Sequence, residues 1–287
     1  MVTGEPIKLI ECPRDAMQGL NYFIPTRDKI SYLNLLLKVG FTTLDFGSFV
    51  SPKMIPQMAD TAEVLDGLDL NDTNTKLLAI VANLRGAEEA LKHSAISCVG
   101  YPFSISETFQ KRNTNADIAS SLIMVEKLLD ICHQHRREAV IYLSMAFGNP
   151  YGDTWNEDIV QLWCDKLVRA GVTTVALSDT TGVSTAESVA SIFKSVSTTF
   201  QEVEFGVHLH STPATWEEKI EAAYLNGCRR FDSALKGYGG CPMAADALTG
   251  NIATENLLEY FSSHGEELKI DRPGFNAAME FAGSLFH

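Results

Sequence analysis

The sequence predicts an α/β fold of the (β/α)8 TIM-barrel type in a single domain, and three observations carry that prediction. Short β-branched, apolar runs alternate with longer amphipathic stretches along the whole chain, eight times in all. Glycines stand where helical stretches end before the next strand. A length of 287 residues suits one barrel, and no Pro/Gly/Ser-rich linker or shift in composition divides the chain into two units.

Taken in order, strands are expected at Ile7–Cys12, Thr42–Phe46, Lys76–Val81, Ala95–Val99, Ala139–Ser144, Thr173–Ser178, Glu204–His210 and Arg229–Ser233. Helical patterns fall at Asp28–Val39, Pro56–Leu68, Gly86–His93, Ala116–Arg136, Glu157–Ala170, Ala186–Thr199, Trp216–Asn226 and Thr254–Phe261. Residues 1–287 are read as one catalytic domain with a C-terminal helical segment after about residue 251. Gly40, Gly171 and Gly227 each close a helix, where the lack of a Cβ permits a positive φ. A doubly wound open sheet also repeats βα units, but no G-x-G-x-x-G follows the first strand.

Apolar residues at 45% and charged residues at 21% exclude a disordered or coiled-coil chain. A net charge of −13 repels nucleic acid and anionic membrane surfaces, so neither is expected as a partner. Six cysteines lie far apart without a C-x-x-C pair and read as reduced thiols. Residues 1–8 show no basic region followed by an apolar one, and no run approaches the roughly 18 apolar residues of a membrane span, so the expected setting is cytoplasmic.

Chemistry in such a barrel belongs to the C-terminal ends of the strands and the loops after them. Arg14 and Asp15 follow the first strand, and Asp45 lies in the second. Ser144 ends the fifth, Asp179 and Thr180 follow the sixth, and Cys241 and Asn251 lie beyond the eighth. In the seventh, Val203, Phe205, Val207 and Leu209 alternate with Glu204, Gly206, His208 and His210, so one face meets the helices and the other the lumen. Two imidazoles on that inner face, about 6 to 7 Å apart at the backbone, suit neighbouring ligand positions on one cation. They suit hydrogen-bonded core histidines equally well.

Oxygen donors from Asp15 and Asn251 would favour Mg²⁺ or Mn²⁺ over Zn²⁺. Asp15 also suits a helix N-cap or an ion pair with Arg14, and Asn251 a cap for the helix near Thr254. Cys241 sits in Gly237-Tyr-Gly-Gly-Cys-Pro242, which reads as a mobile active-site loop or as a plain glycine-rich turn. The turn that opens with Asp179 reads either as part of the site or as a strand-to-helix cap.

Taken together, these segments resemble the 3-hydroxy-3-methylglutaryl-CoA lyase family, a member of the metal-dependent lyase and Claisen-condensing barrel group. The resemblance runs through Pro13-Arg-Asp15, Ser48-Phe-Val-Ser-Pro-Lys-Met-Ile-Pro-Gln-Met-Ala-Asp60, Ser144-Met-Ala-Phe-Gly-Asn-Pro-Tyr-Gly-Asp153 and Ser178-Asp-Thr-Thr-Gly182. It continues through His208-Leu-His210, Gly239-Gly-Cys-Pro242 and Gly250-Asn-Ile-Ala-Thr-Glu255. It implies a divalent cation, Mg²⁺ or Mn²⁺, held by Asp15, His208, His210 and Asn251. It further implies catalytic roles for Arg14 and Cys241, support from Asp45, an acyl-CoA substrate and a homodimer, with His208 or Asp15 as the candidate catalytic base. Substrate-facing candidates are Arg14, Lys53, Ser144, Asp179 and Thr180. Lys53, Lys111 and Arg112 fall in loops suited to the anionic CoA, though each also reads as solvated surface charge.

The chain departs from the family at four places. It has Ala16-Met-Gln-Gly-Leu20 where Gly-Leu-Gln-Asn-Glu is usual, Asp45 where Glu is usual, Ser211-Thr-Pro213 after the second histidine, and one extra residue between Cys241 and Asn251. The implied reaction is a retro-Claisen cleavage giving acetyl-CoA and acetoacetate. A pyruvate-dependent metal aldolase and a catalytically silent barrel that binds metal or acyl-CoA are the alternatives.

Overall fold

The computed structural model describes residues 4–240 and 249–286. Strand β1 (Lys8–Glu11) runs into a one-and-a-half-turn helix, α1 (Pro13–Gln18), whose proline occupies a first-turn position that needs no N–H donor. Then follow α2 (Thr26–Val39), β2 (Thr43–Ser48), α3 (Thr61–Asp66), β3 (Lys76–Ile80), α4 (Leu84–Leu91), β4 (Ile96–Ser104), α5 (Glu107–Thr114) and α6 (Ile118–His135). The chain continues with β5 (Glu138–Ser144), α7 (Glu157–Arg169), β6 (Thr174–Ser178), α8 (Ala186–Thr199), β7 (Glu204–His208), β8 (His210–Ser211) and α9 (Trp216–Leu225). It ends with β9 (Arg230–Ser233), β10 (Gly250–Asn251), α10 (Thr254–Ser263) and α11 (Arg272–Leu285).

Strands β1 to β7 and β9 form a closed parallel barrel in chain order, sealed where Lys8 to Glu11 pair with Arg230 to Ser233. The predicted barrel and all eight of its strands are present. Gly40, Gly171 and Gly227 have φ of 95°, 101° and 97°, as their positions at helix ends require. Helices α1, α5 and α11 were not among the expected helical patterns, and the pattern at Pro56–Leu68 divides into a 3₁₀ turn (Pro56–Met58) and α3.

Side-chain alternation sorts each strand between two cores. Leu77, Ala79, Val99, Ile141, Leu143, Val175 and Leu177 face the helices and join the large outer core. Leu78, Ile80, Cys98, Val140, Tyr142 and Ala176 face inward and fill part of the lumen. Residues after His208 leave the barrel, and β8 pairs antiparallel with β10, setting Asn251 opposite His210. That small ribbon folds the end of β7 toward the mouth of the barrel. Among the described residues, no helix is long and apolar enough to cross a membrane.

Candidate active site at the barrel mouth

Helix α1 places two consecutive charged residues over the lumen. Arg14 and Asp15 occupy its first turn and are buried, because α1 begins directly at the end of β1 rather than after a loop. Asp15 is therefore not an N-cap; Cys12 holds that position. Arg14 directs Nε and Nη2 at Asp45, with Nη2 to Oδ2 at 2.6 Å, and Nη1 at Asp15 Oδ1 (3.1 Å) and Gln18 Oε1 (2.7 Å). The shorter acid on the second strand thus reaches Arg14 in full. Burial drives the Asp45 carboxyl up to about 6 against the opposing pull of Arg14.

Asp15 is the meeting point of the cluster. Its Oδ1 accepts from Arg14 and from Gln18 Nε2, and its Oδ2 accepts from Asn251 Nδ2 at 2.7 Å. Burial is the largest single influence and opposes its ionisation, but Arg14, the two histidines and Asn251 together outweigh it and hold the carboxyl below its ordinary range. Asn251 does not cap α10, whose N-cap is Ala253. Its Nδ2 is committed to Asp15 and to the Tyr238 carbonyl, which leaves the carboxamide oxygen as the atom that could act as a ligand.

The two imidazoles face one another with ring centres 5.3 Å apart. His208 Nδ1 meets Asp232 Oδ2 at 3.2 Å, and His210 Nδ1 meets the Thr180 carbonyl at 3.2 Å. Each acceptor calls for a proton on Nδ1, which bares Nε2. Nε2 of His210 is buried and has no hydrogen-bond partner. Burial and the neighbouring His208 push His210 down to about 4, so its ring is neutral near pH 7. Asp15, His208 and His210 each bring one donor atom to within 4.8 Å of the others. An orphaned imidazole nitrogen beside a carboxylate, with both rings oriented through their other nitrogens, fits a divalent cation. Cys12, His208 and Asp232 also converge, but Asp232 already engages His208 Nδ1, and burial drives the Cys12 thiol well above its ordinary value.

A cavity of about 420 Å³ opens above this cluster, lined by Arg14, Asp15, His208, His210, Ser144 and Thr180, and walled on its other side by Val50, Met54, Ile55, Ile80 and Pro102. Thr180 Oγ1 accepts from the backbone N–H of Met145, which is held at φ 61°. Two of the substrate-facing candidates lie outside the cavity lining. Asp179 does not line the cavity: its carboxylate accepts from Lys219 Nζ at 3.0 Å and from the backbone and hydroxyl of Ser184, pinning the turn after β6. Lys219 also donates to the His210 carbonyl at 2.9 Å, so this buried pair braces a site residue from behind. Lys53 is exposed and outside the lining, whereas Arg112 at the end of α5 lies on the rim. Cys241 lies outside the described residues. Sequence reasoning missed Asp232, Gln18, Tyr142 and Lys219. Of these, only Asp232 carried a signal, as an acid on the inward face of the eighth strand.

A family model, HMGL-like, matches residues 7–279 of the sequence. The chain belongs to the HMGL-like family. Enzymes of this family are metal-dependent, in keeping with the cluster at the mouth, and curated relatives over most of the chain are named as HMG-CoA lyases, carbon–carbon lyases. This family member is 35% identical over 253 residues to the 3-hydroxy-3-isohexenylglutaryl-CoA/hydroxy-methylglutaryl-CoA lyase of Pseudomonas aeruginosa, covering 88% of this chain and 83% of that one. It is 32% identical over 268 residues to the cytoplasmic 3-hydroxy-3-methylglutaryl-CoA lyase of Rattus norvegicus, covering 93% and 77%. An HMG-CoA lyase from Acinetobacter baumannii, solved with coenzyme A and 3-methylmalate, has a TM-score of 0.91 at 28% identity, with 100% of this chain and 93% of that chain covered.

Proposed function

We propose that this HMGL-like chain cleaves 3-hydroxy-3-methylglutaryl-CoA to acetyl-CoA and acetoacetate, using Mg²⁺ or Mn²⁺ held by Asp15, His208, His210 and Asn251. The observation that carries the reading is the convergence of Asp15, His208 and His210 donor atoms within 4.8 Å, next to Arg14 and open to the cavity. The bound cation would supply Lewis acidity that makes the substrate's tertiary hydroxyl easier to deprotonate.

The chain's own residues account for the other parts of the reaction. Asp15 lines the cavity and keeps carboxylate lone pairs able to accept the hydroxyl proton, whereas His208 can accept it only while its Nε2 is not engaged by the cation. As that proton leaves, a carbonyl forms at the tertiary carbon, the adjacent carbon–carbon bond breaks, and its electron pair passes to the thioester as an enolate. Arg14 spends four of its five N–H bonds on Asp45, Asp15 and Gln18, so the guanidinium is fixed and one Nη2 N–H remains for the developing enolate oxygen. Cys241 donates the proton that turns the enolate carbon into the acetyl methyl, and the accepted proton then restores the thiol through solvent. Val50, Ile80 and Pro102 provide an apolar wall for the methyl-bearing part of the substrate. Ser144 and Thr180 supply hydroxyls at the cavity floor for its carboxylate. Arg112 replaces Lys53 as the cation offered to CoA at the rim.

The five described cysteines are free and buried, which accords with a reducing, cytoplasmic setting. A homodimer is expected, with light scattering as its check. The decisive assay incubates purified protein with Mg²⁺ or Mn²⁺ and the acyl-CoA and follows products by NMR. Acetyl-CoA and acetoacetate are the expected result. Binding of metal and substrate without product would overturn the reading in favour of a silent barrel. Cys241→Ala should abolish turnover, whereas an aldolase acting on a 2-oxo acid would retain it.

A further inference from the structure

Beneath the cation site the lumen holds a second polar layer that the proposed reaction leaves unused. Arg230 and Asp232 stand two residues apart on β9 and so share the inward face, and Tyr142 enters from β5. All three are buried. Asp232 turns Oδ2 to His208 Nδ1, and the Tyr142 ring meets the His208 ring edge to face at 5.7 Å. Arg230 lies along the wall past Gly206: a Cβ at that glycine would come within 2.7 Å of the Arg230 stem. Burial is the largest influence and weakens the charged form of Arg230, but Asp232 together with Tyr142, Glu204 and Cys98 outweighs it and the guanidinium stays charged.

A carboxylate has no proton to donate, so facing Nδ1 it enforces the Nδ1–H form of a neutral imidazole. Nε2 is then bare, which is the form needed either to ligate a cation or to accept a proton. His210 obtains the same orientation from a main-chain carbonyl, which no side-chain substitution removes. We propose that Asp232 is a positioning residue that sets the tautomer of His208, with Arg230 as the buried charge that balances it inside the lumen. This inference deepens the reading of the cation site and rests on it.

The test begins with ion-free protein labelled with ¹⁵N-histidine in mildly alkaline buffer. Ring nitrogen shifts should show His208 protonated at Nδ1 and bare at Nε2. In Asp232→Asn the carboxamide can donate to Nδ1, so the proton should move to Nε2, and Mn²⁺ affinity measured calorimetrically should fall by about 10- to 100-fold. Asp232→Glu should restore the Nδ1–H signature. A wild-type His208 protonated at Nε2 would overturn the proposal even if the variants failed to fold. So would Asp232→Asn with the wild-type tautomer and a Kd for Mn²⁺ unchanged within about twofold, set against the loss expected for such a partner. If wild-type protein binds no Mn²⁺, the cation site itself fails, and the ion-free spectra still decide the role of Asp232.

Discussion

From β3 to β6 the barrel interior is lined by Leu78, Ile80, Cys98, Val140, Tyr142 and Ala176, whereas from β7 through β9 and β1 to β2 it presents His208, Asp232, Arg230 and Asp45. Both halves are equally shut off from water and have the same backbone, so side-chain chemistry alone separates them. Each apolar residue contributes roughly 1.5–3 kcal/mol on burial. The charged groups gain nothing comparable, because desolvation consumes what their pairing returns. Asp45 pushed up to about 6 and His210 pushed down to about 4 are signs of that cost. The apolar half holds the barrel together, and the charged half is retained for its chemistry.

Two substitutions can break that contrast. Arg14→Lys should have the largest effect, lowering kcat by about 10²- to 10³-fold, because an ammonium cannot replace the fork that spans Asp45, Asp15 and Gln18. Its melting temperature should change little, since a cation remains beside Asp45. Leu78→Ala should do the reverse, costing about 2–5 kcal/mol in denaturant unfolding with kcat preserved within a few-fold. Equal losses of activity in the two variants would erase the distinction between the halves.

Glu11 sharpens the contrast from the outer face of β1. Burial raises its carboxyl from 4.5 to about 8, while Oε1 accepts from the Leu235 N–H and Oε2 meets the Thr254 hydroxyl. Because the folded value lies above the unfolded one, the folded state binds the extra proton between them. The stability tied to Glu11 is therefore complete below about pH 4.5 and is lost as pH rises to about 8, a decline of order a few kcal/mol. Glu11→Gln should flatten that part of the stability profile in denaturant titrations. A wild-type profile that rises across the same window would contradict the assignment.

The barrel was legible in the sequence because buried parallel strands read as short apolar runs and because αL glycines mark where helices stop. Helices α1 and α5, of six and eight residues, were too short to show a 3.6-residue period, and only Pro13 signalled the first. The inward placement of His208 followed from alternation along β7, whereas β7 ends at His208 and His210 reaches the site from the separate strand β8. Asp232 escaped notice because it lies 24 residues from His208 and meets it only when β9 closes against β7. The pairing of Asp179 escaped notice for the same kind of reason, since its partner Lys219 arrives from α9, 40 residues on.

The charged half of the lumen is most directly tested by crystals grown with Mn²⁺ and measured at a wavelength where manganese scatters anomalously. An anomalous peak within coordination distance of Asp15, His208 Nε2 and His210 Nε2 is the predicted result. A peak lodged instead among Cys12, His208 and Asp232, or Mn²⁺ bound only at the outer surface, would contradict it.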